Sequence, residues 1–192
     1  MQRRQFLQNG LIAAVGAPLL TALQQDRMDA AADVLTKTTA SGQVSAAVLH
    51  VTRPDFSFTR HFGTAESDDA MFLLGSISKP ICVTALMTLF DRGEFQLTDP
   101  LRKYIPKFAG EGRDRVTMQH LLTHVSGLPD QLADNNSLRK KHAGLDEFVE
   151  HAIHTPLKFA PGSQYEYSSM AILLATHVAQ LISGEDILTF VD

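Results

Sequence analysis

A single cysteine, Cys82, stands in the 192-residue chain, so no disulfide can close within it. Its apolar neighbours Ile81, Val83 and Ala85 make it a packed core thiol in preference to a nucleophile. A large excess of charge of either sign is lacking too. A formal net charge of -4 and a pI near 6.0 argue against nucleic acid or an anionic membrane as the main partner, because the mean field attracts neither. A small or neutral substrate suits that field better. No internal repeat and no low-complexity tract interrupts the chain. At 44% hydrophobic residues it can build one ordinary globular core.

The N-terminus, MQRRQFLQNGLIAAVGAPLLTALQQD, places Arg3 and Arg4 before a mildly apolar stretch from Gly10 to Leu23. That stretch is short of the roughly 20 residues a membrane-spanning helix needs. RRQFL resembles a twin-arginine export signal. Residues 1–25 are therefore expected to be an export signal, with the product in the periplasm or cell envelope and no stable membrane span after signal removal. The alternative is an ordinary helix behind two arginines. Residues 26–192 are then the folded part.

Within it, the alanine-rich Asp26 to Thr39 segment predicts a helix stopped at Ser41-Gly42. VSAAVLHV (Val44 to Val51), a turn at Arg53-Pro54-Asp55 and the alternating FSFTRHF predict a β-hairpin. LLGSISKPICVTALMTLF (Leu73 to Phe90) is apolar on nearly every side, which predicts a helix buried all round at the domain centre. Further helices are expected at Thr117 to His124, from Leu145 onward to Pro156, and from Ser168 to Gly184, with another begun in DILTFVD. Gln131 to Gly144 reads as a polar loop.

Ser76 and Lys79 form S-x-x-K. Three-residue spacing on a helix puts two side chains on one face, with Cβ atoms about 5–6 Å apart, close enough to share a proton. The pattern alone is weak, and Ser137 to Lys140 repeats it in a cation-rich segment where a solvated ammonium is the plain reading. Ser76 differs in context. Leu73 and Leu74 precede it, Gly75 allows close backbone approach, and Pro80 requires this to be a first helical turn. A helix N-terminus disfavours a cation and burial disfavours it further. Both effects would favour a neutral Lys79 amine able to take the proton of Ser76 Oγ, while free backbone N–H groups of the same turn hold an oxyanion. The alternative is a lysine that snorkels to water beside a capping serine.

Three blocks, LLGSISKPICVTALMTLFDRGEFQLTDPLRKYIPKF, TMQHLLTHVSGLPD and PGSQYEYSSMAILLATHVAQLISG, together resemble the serine β-lactamase and penicillin-binding-protein-like hydrolases, closest to the branch of class C β-lactamases and carboxylesterases. The resemblance implies an α+β, β-lactamase/transpeptidase-like fold: an antiparallel sheet flanked by helices, plus a helical region. It implies a serine hydrolase that cleaves an amide or ester, whether β-lactam, D-amino-acid peptide or carboxyl ester, through an acyl-enzyme on Ser76 assisted by Lys79. Tyr167 matches the tyrosine of the family's Tyr-x-Asn motif, which shuttles the proton to the leaving group. Ser169 stands where the family has asparagine, a shorter group at a substrate-binding position. Alternation across Tyr165-Glu166-Tyr167 assigns Tyr165 the role of core aromatic. The family's third motif, a Lys or His followed one residue later by Gly on a later strand, does not occur before Asp192. The chain therefore reads as the N-terminal part of a longer hydrolase domain, with the C-terminal strands absent. Its competing reading is a truncated, non-catalytic penicillin-binding-like domain that acts as a binding or vestigial module.

Eight histidines raise a metal reading, with His120 and His124 at i, i+4 and His151 and His154 at i, i+3. Neither pair has the adjacent Glu of a zinc-protease helix or a third ligand at suitable spacing. No metal or other cofactor is expected, and the partner is a small-molecule or peptide substrate.

Overall fold

A computed structural model of the chain describes residues 26–192. The expected export signal, residues 1–25, lies outside the described residues. The chain divides into two compact units at the Leu73/Leu74 junction.

In the first unit, residues 26–40 form helix α1. Near its end the hydroxyls of Thr36, Thr38 and Thr39 bond to carbonyls four residues back, and Gly42 at φ 74° follows. The hairpin is present as expected. Strands β1 (Ala46–Arg53) and β2 (Phe56–Gly63) pair antiparallel from Ala46 opposite Gly63 to Arg53 opposite Phe56. Phe62 is buried, as are Ala32 of α1 and Ala65, and Arg60 of β2 reaches Asp29 of α1 at 2.8 Å.

The second unit is helical. A 3₁₀ turn, Gly75–Ile77, leads into α2 (Ser78–Asp91), followed by α3 (Met118–Leu122), α4 (Asn135–Lys140), α5 (Leu145–Ala152), α6 (Ser169–Ser183) and α7 (Ile187–Val191). The core gathers Leu86 and Leu89 of α2, Leu101, Phe108, Val116, Leu121, and Leu174 and Val178 of α6. Between α2 and α3, the Asp99 carboxylate accepts from Gln96 N–H, Lys103 Nζ and the Tyr104 hydroxyl. Burial opposes its ionisation, but these bonds outweigh that and hold its pKa at about 2.

Two expectations about helices are corrected. The helix buried on most sides is α6, from Met170 to Ala179, whereas α2 buries only Ala85, Leu86 and Leu89. The packing explains the difference: α2 lays one face against α6 and α7, while Ile77 and Ile81 stay 65% and 44% exposed. The second correction is α4, in a segment read as loop. Its single fully buried side chain, Leu138, is too little to produce a helical period in sequence, yet it anchors the turn to the core.

Side-chain and backbone caps close the helix ends. Thr117 caps α3 in a reciprocal capping box with His120. Ser168 caps α6 by accepting from Ala171 N–H at 3.0 Å, and Gly184 closes that helix in the left-handed region.

Candidate active site

Gly75 adopts φ 53°, a conformation that glycine enters at no steric cost, and it turns the chain into the 3₁₀ turn that carries Ser76. The Ser78 hydroxyl ties that turn by donating to Gly75 O at 2.7 Å. Pro80 is the third residue of α2, where a missing N–H breaks no intrahelical bond. The first turn of α2 holds no acidic residue and no side-chain cap, so nothing in that turn offsets the Lys79 charge at the positive end of the helix. In the 3₁₀ turn, Ile77 N–H is used by Leu74 O and Ser78 N–H by Gly75 and Ser76 carbonyls.

Two side chains converge on Ser76 Oγ. Lys79 Nζ donates to it at 3.0 Å and the Tyr167 hydroxyl donates to it at 3.0 Å, across 91 residues of sequence. Lys79 Nζ also lies 5.3 Å from the centroid of the Tyr167 ring. The Tyr167 phenol is pulled below its ordinary 10.0, first by hydrogen bonding with Lys79 and then with Ser76, with burial opposing. Both contacts thus ease ionisation of the phenol beside the Ser76 hydroxyl.

Lys79 is half-buried and Ser76 exposed, so the full burial expected at this helix mouth is not supplied by the described residues. The reason is the same one-sided packing of α2. The second S-x-x-K stays apart, with Ser137 and Lys140 exposed on α4.

Tyr167 arrives on a loop that is stitched to the segment after α3. Gly162 N–H donates to Val125 O at 2.8 Å, Lys158 N–H to Gly127 O at 2.8 Å and Glu166 N–H to His124 O at 3.0 Å. Ser168 N–H then donates to His124 Nδ1 at 3.2 Å, and Ser168 Oγ to Pro129 O at 2.9 Å. Asp130 fixes the start of α6: its Oδ1 accepts from Ser169 N–H at 2.8 Å and its carbonyl from Met170 N–H at 3.0 Å. Burial resists the Asp130 charge, but hydrogen bonds from Ser169 and the nearby Lys79 cation outweigh it, leaving the carboxyl below the ordinary 3.8.

Ser169 is half-buried at the first position of α6, and its hydroxyl is a hydrogen-bonding neighbour of both Tyr167 and Asp130. All four expected residues, Ser76, Lys79, Tyr167 and Ser169, therefore lie in one place. Tyr165 is a correction: it is 69% exposed instead of core. The segment is not a strand, so alternation does not apply, and both tyrosine rings face His124, Tyr165 edge-on at 6.1 Å and Tyr167 tilted at 4.7 Å. A cavity of about 240 Å³ opens beside Ser169, lined by Asp130, Asn135, Arg139, Phe148 and Leu173 among others.

The histidine pairs separate by task. His120 Nδ1 accepts from Thr117 N–H and His124 Nδ1 from Ser168 N–H, while His151 pairs with Asp134 and His154 with Glu150. Sequence reasoning weighed His124 as half of a metal pair and did not single out Asp130. Their signal was position, since LLTHVSGLPD places both within six residues of each other around a glycine turn.

The Beta-lactamase family profile matches residues 24–192. The chain belongs to the β-lactamase family. Esterase EstB of Burkholderia gladioli is 32% identical over 148 residues, which cover 69% of this chain and 38% of the esterase. Penicillin-binding protein 4* of Bacillus subtilis (strain 168) is 28% identical over 160 residues, 78% of this chain and 35% of that protein. The D-stereospecific amidohydrolase from a Streptomyces species superposes with a TM-score of 0.69 at 25% identity, covering 82% of this chain and 50% of that one. The chain thus spans little more than a third of the length of these two curated relatives. The β-lactamase fold carries the α+β arrangement expected from sequence, here a two-stranded antiparallel sheet with many helices. Among the described residues, no helix is long and apolar enough to cross a membrane.

Proposed function

We propose that this chain carries the nucleophilic centre of a serine hydrolase that opens a small ester or amide through an acyl-enzyme on Ser76. The observation that carries this reading is the junction at Ser76 Oγ, met at 3.0 Å by both Lys79 Nζ and Tyr167 OH. Such a junction gives the nucleophile a proton acceptor and a neighbouring cation, the two requirements for an activated hydroxyl. Tyr167 in its phenolate form takes the Ser76 proton as Oγ bonds to the substrate carbonyl carbon. The Lys79 charge favours that phenolate. The phenol then returns its proton to the leaving oxygen or nitrogen as the carbonyl bond to it breaks, and water later releases the acyl group. The Ser76 N–H, which has no backbone acceptor among the described residues, supplies one donor for the developing oxyanion.

The cavity beside Ser169 supports a small acyl or leaving group with an apolar part, since Phe148, Met170 and Leu173 form its wall. The esterase, penicillin-binding protein and amidohydrolase among the similar proteins support the ester or amide class. Arg3 and Arg4 support action in the periplasm or cell envelope.

A short-chain p-nitrophenyl ester tests the reading. The expected result is a burst of p-nitrophenol approaching one equivalent per chain, absent from Ser76→Ala. Equal release by the two proteins would refute it.

A further inference from the structure

Tyr167 reaches Ser76 from a loop and not from a helix or strand, so its oxygen needs an external support. Both of its sequence neighbours are fastened to one residue. Glu166 N–H donates to the His124 carbonyl, Ser168 N–H donates to His124 Nδ1, and the imidazole lies against the Tyr167 ring itself at 4.7 Å between centroids and 37° between planes. His124 adopts φ 58°, a left-handed conformation uncommon outside glycine but one that histidine and asparagine enter more readily than most residues. That conformation lets one residue present its carbonyl, its Nδ1 and its ring face to the same loop.

We propose that His124 is the positioning residue of Tyr167: its carbonyl, its unprotonated Nδ1 and its ring together hold the phenol oxygen on Ser76, and protonation of the imidazole releases that hold. The inference rests on the role given to Tyr167 above.

Nδ1 accepts a hydrogen bond only when it carries no proton, so the clamp uses the neutral ring with its hydrogen on Nε2. A protonated imidazole would turn an N–H toward the Ser168 N–H. Ser168 is fully buried, and its N–H would find no water in exchange. The charged and titratable groups facing the ring are Lys79 from α2, Asp130 from the segment after α3, and Tyr165 and Tyr167 from the loop before α6. Burial resists protonation most and Lys79 adds to it, while the Ser168 backbone and Asp130 oppose; the net effect holds His124 below the ordinary 6.5. The clamp is therefore intact at neutral pH. It is lost as pH falls below the usual histidine range.

Two variants separate the parts. His124→Asn tolerates the left-handed backbone and keeps a side-chain acceptor but has neither ring nor titration. His124→Phe keeps the ring and loses the acceptor. Two readouts are used: the phenol titration of Tyr167, as the ultraviolet difference against Tyr167→Phe, and the pH profile of Ser76 labelling by a fluorophosphonate. In His124→Phe, the Tyr167 midpoint is expected to rise toward 10.0 and labelling to slow by about 10- to 100-fold, the scale of a misplaced reacting group. In His124→Asn, part of both is retained, and the inflection expected of the unaltered chain below the ordinary 6.5 of histidine disappears. An unchanged Tyr167 midpoint in either folded variant, or an inflection that survives in His124→Asn, overturns the proposal. If His124→Phe does not fold, His124→Asn decides alone. If the unaltered chain is not labelled at Ser76, the hydrolase reading fails, while the phenol titration still decides the positioning role.

Discussion

Lys79→Ala is expected to slow acylation of Ser76 by about 10²–10⁴-fold, the range for loss of a group that acts on the transferred proton, and to return the Tyr167 phenol toward its ordinary 10.0. Both effects follow from one contact set. Lys79 Nζ bonds to Ser76 Oγ at 3.0 Å, and it is the first cause of the depressed Tyr167 titration. Removing the ammonium takes away the charge that favours the phenolate, so fewer Tyr167 groups are ready to accept a proton and the hydroxyl loses one of its two partners. Lys140→Ala is the matched control, since it removes the lysine of the other S-x-x-K on exposed α4. It should change neither readout. Wild-type acylation in Lys79→Ala, with Tyr167 titrating as before, would show the contact to be incidental.

Gly127→Ala is expected to destabilise the second unit by on the order of 3 kcal/mol or more, combining backbone strain with a steric clash. Gly127 sits at φ 86°, and a Cβ there would lie 2.3 Å from the Phe159 carbonyl oxygen and 3.3 Å from its carbon. That obstacle is backbone, which cannot rotate away as a side chain could. The same glycine accepts from Lys158 N–H at 2.8 Å, so relief of the clash must separate the two segments that bring Tyr167 to Ser76. Gly110→Ala isolates the strain component: φ is 78° and nothing lies within 4 Å of the added Cβ, so about 1–2 kcal/mol is expected. Urea melts of the two variants check the difference. Equal losses would mean that the close approach at Phe159 is readily accommodated.

How far the sequence revealed the site depended on the range of each contact. The relation of Ser76 to Lys79 is local, and Gly75 before it and Pro80 after it bracket a helix start that the structure bears out. Tyr167 lies 91 residues from Ser76, and no periodicity links them; only the resemblance of PGSQYEYSS to a known family singled it out. Tyr165 was misplaced because alternation presumes a strand, and this segment is an extended loop held by His124 and Val125 carbonyls. The depth of α2 was overread for a similar reason. An apolar surface on every side marks a helix that can be buried, whereas burial needs neighbours, and α2 has them on the α6 and α7 side. α6 combined the apolar run with packing from α2, α3 and α5, so it forms the core. His124 escaped functional reading because its work is done by a carbonyl and a ring nitrogen on partners forty or more residues away.

The account turns on Ser76 as the acylated residue. The most direct measurement treats the chain with a fluorophosphonate, weighs the intact protein and maps the modified peptide. One adduct per chain on Ser76, absent from Ser76→Ala and preserved in Ser137→Ala, is the predicted result. An adduct that persists in Ser76→Ala, or that maps to any other residue, would contradict it.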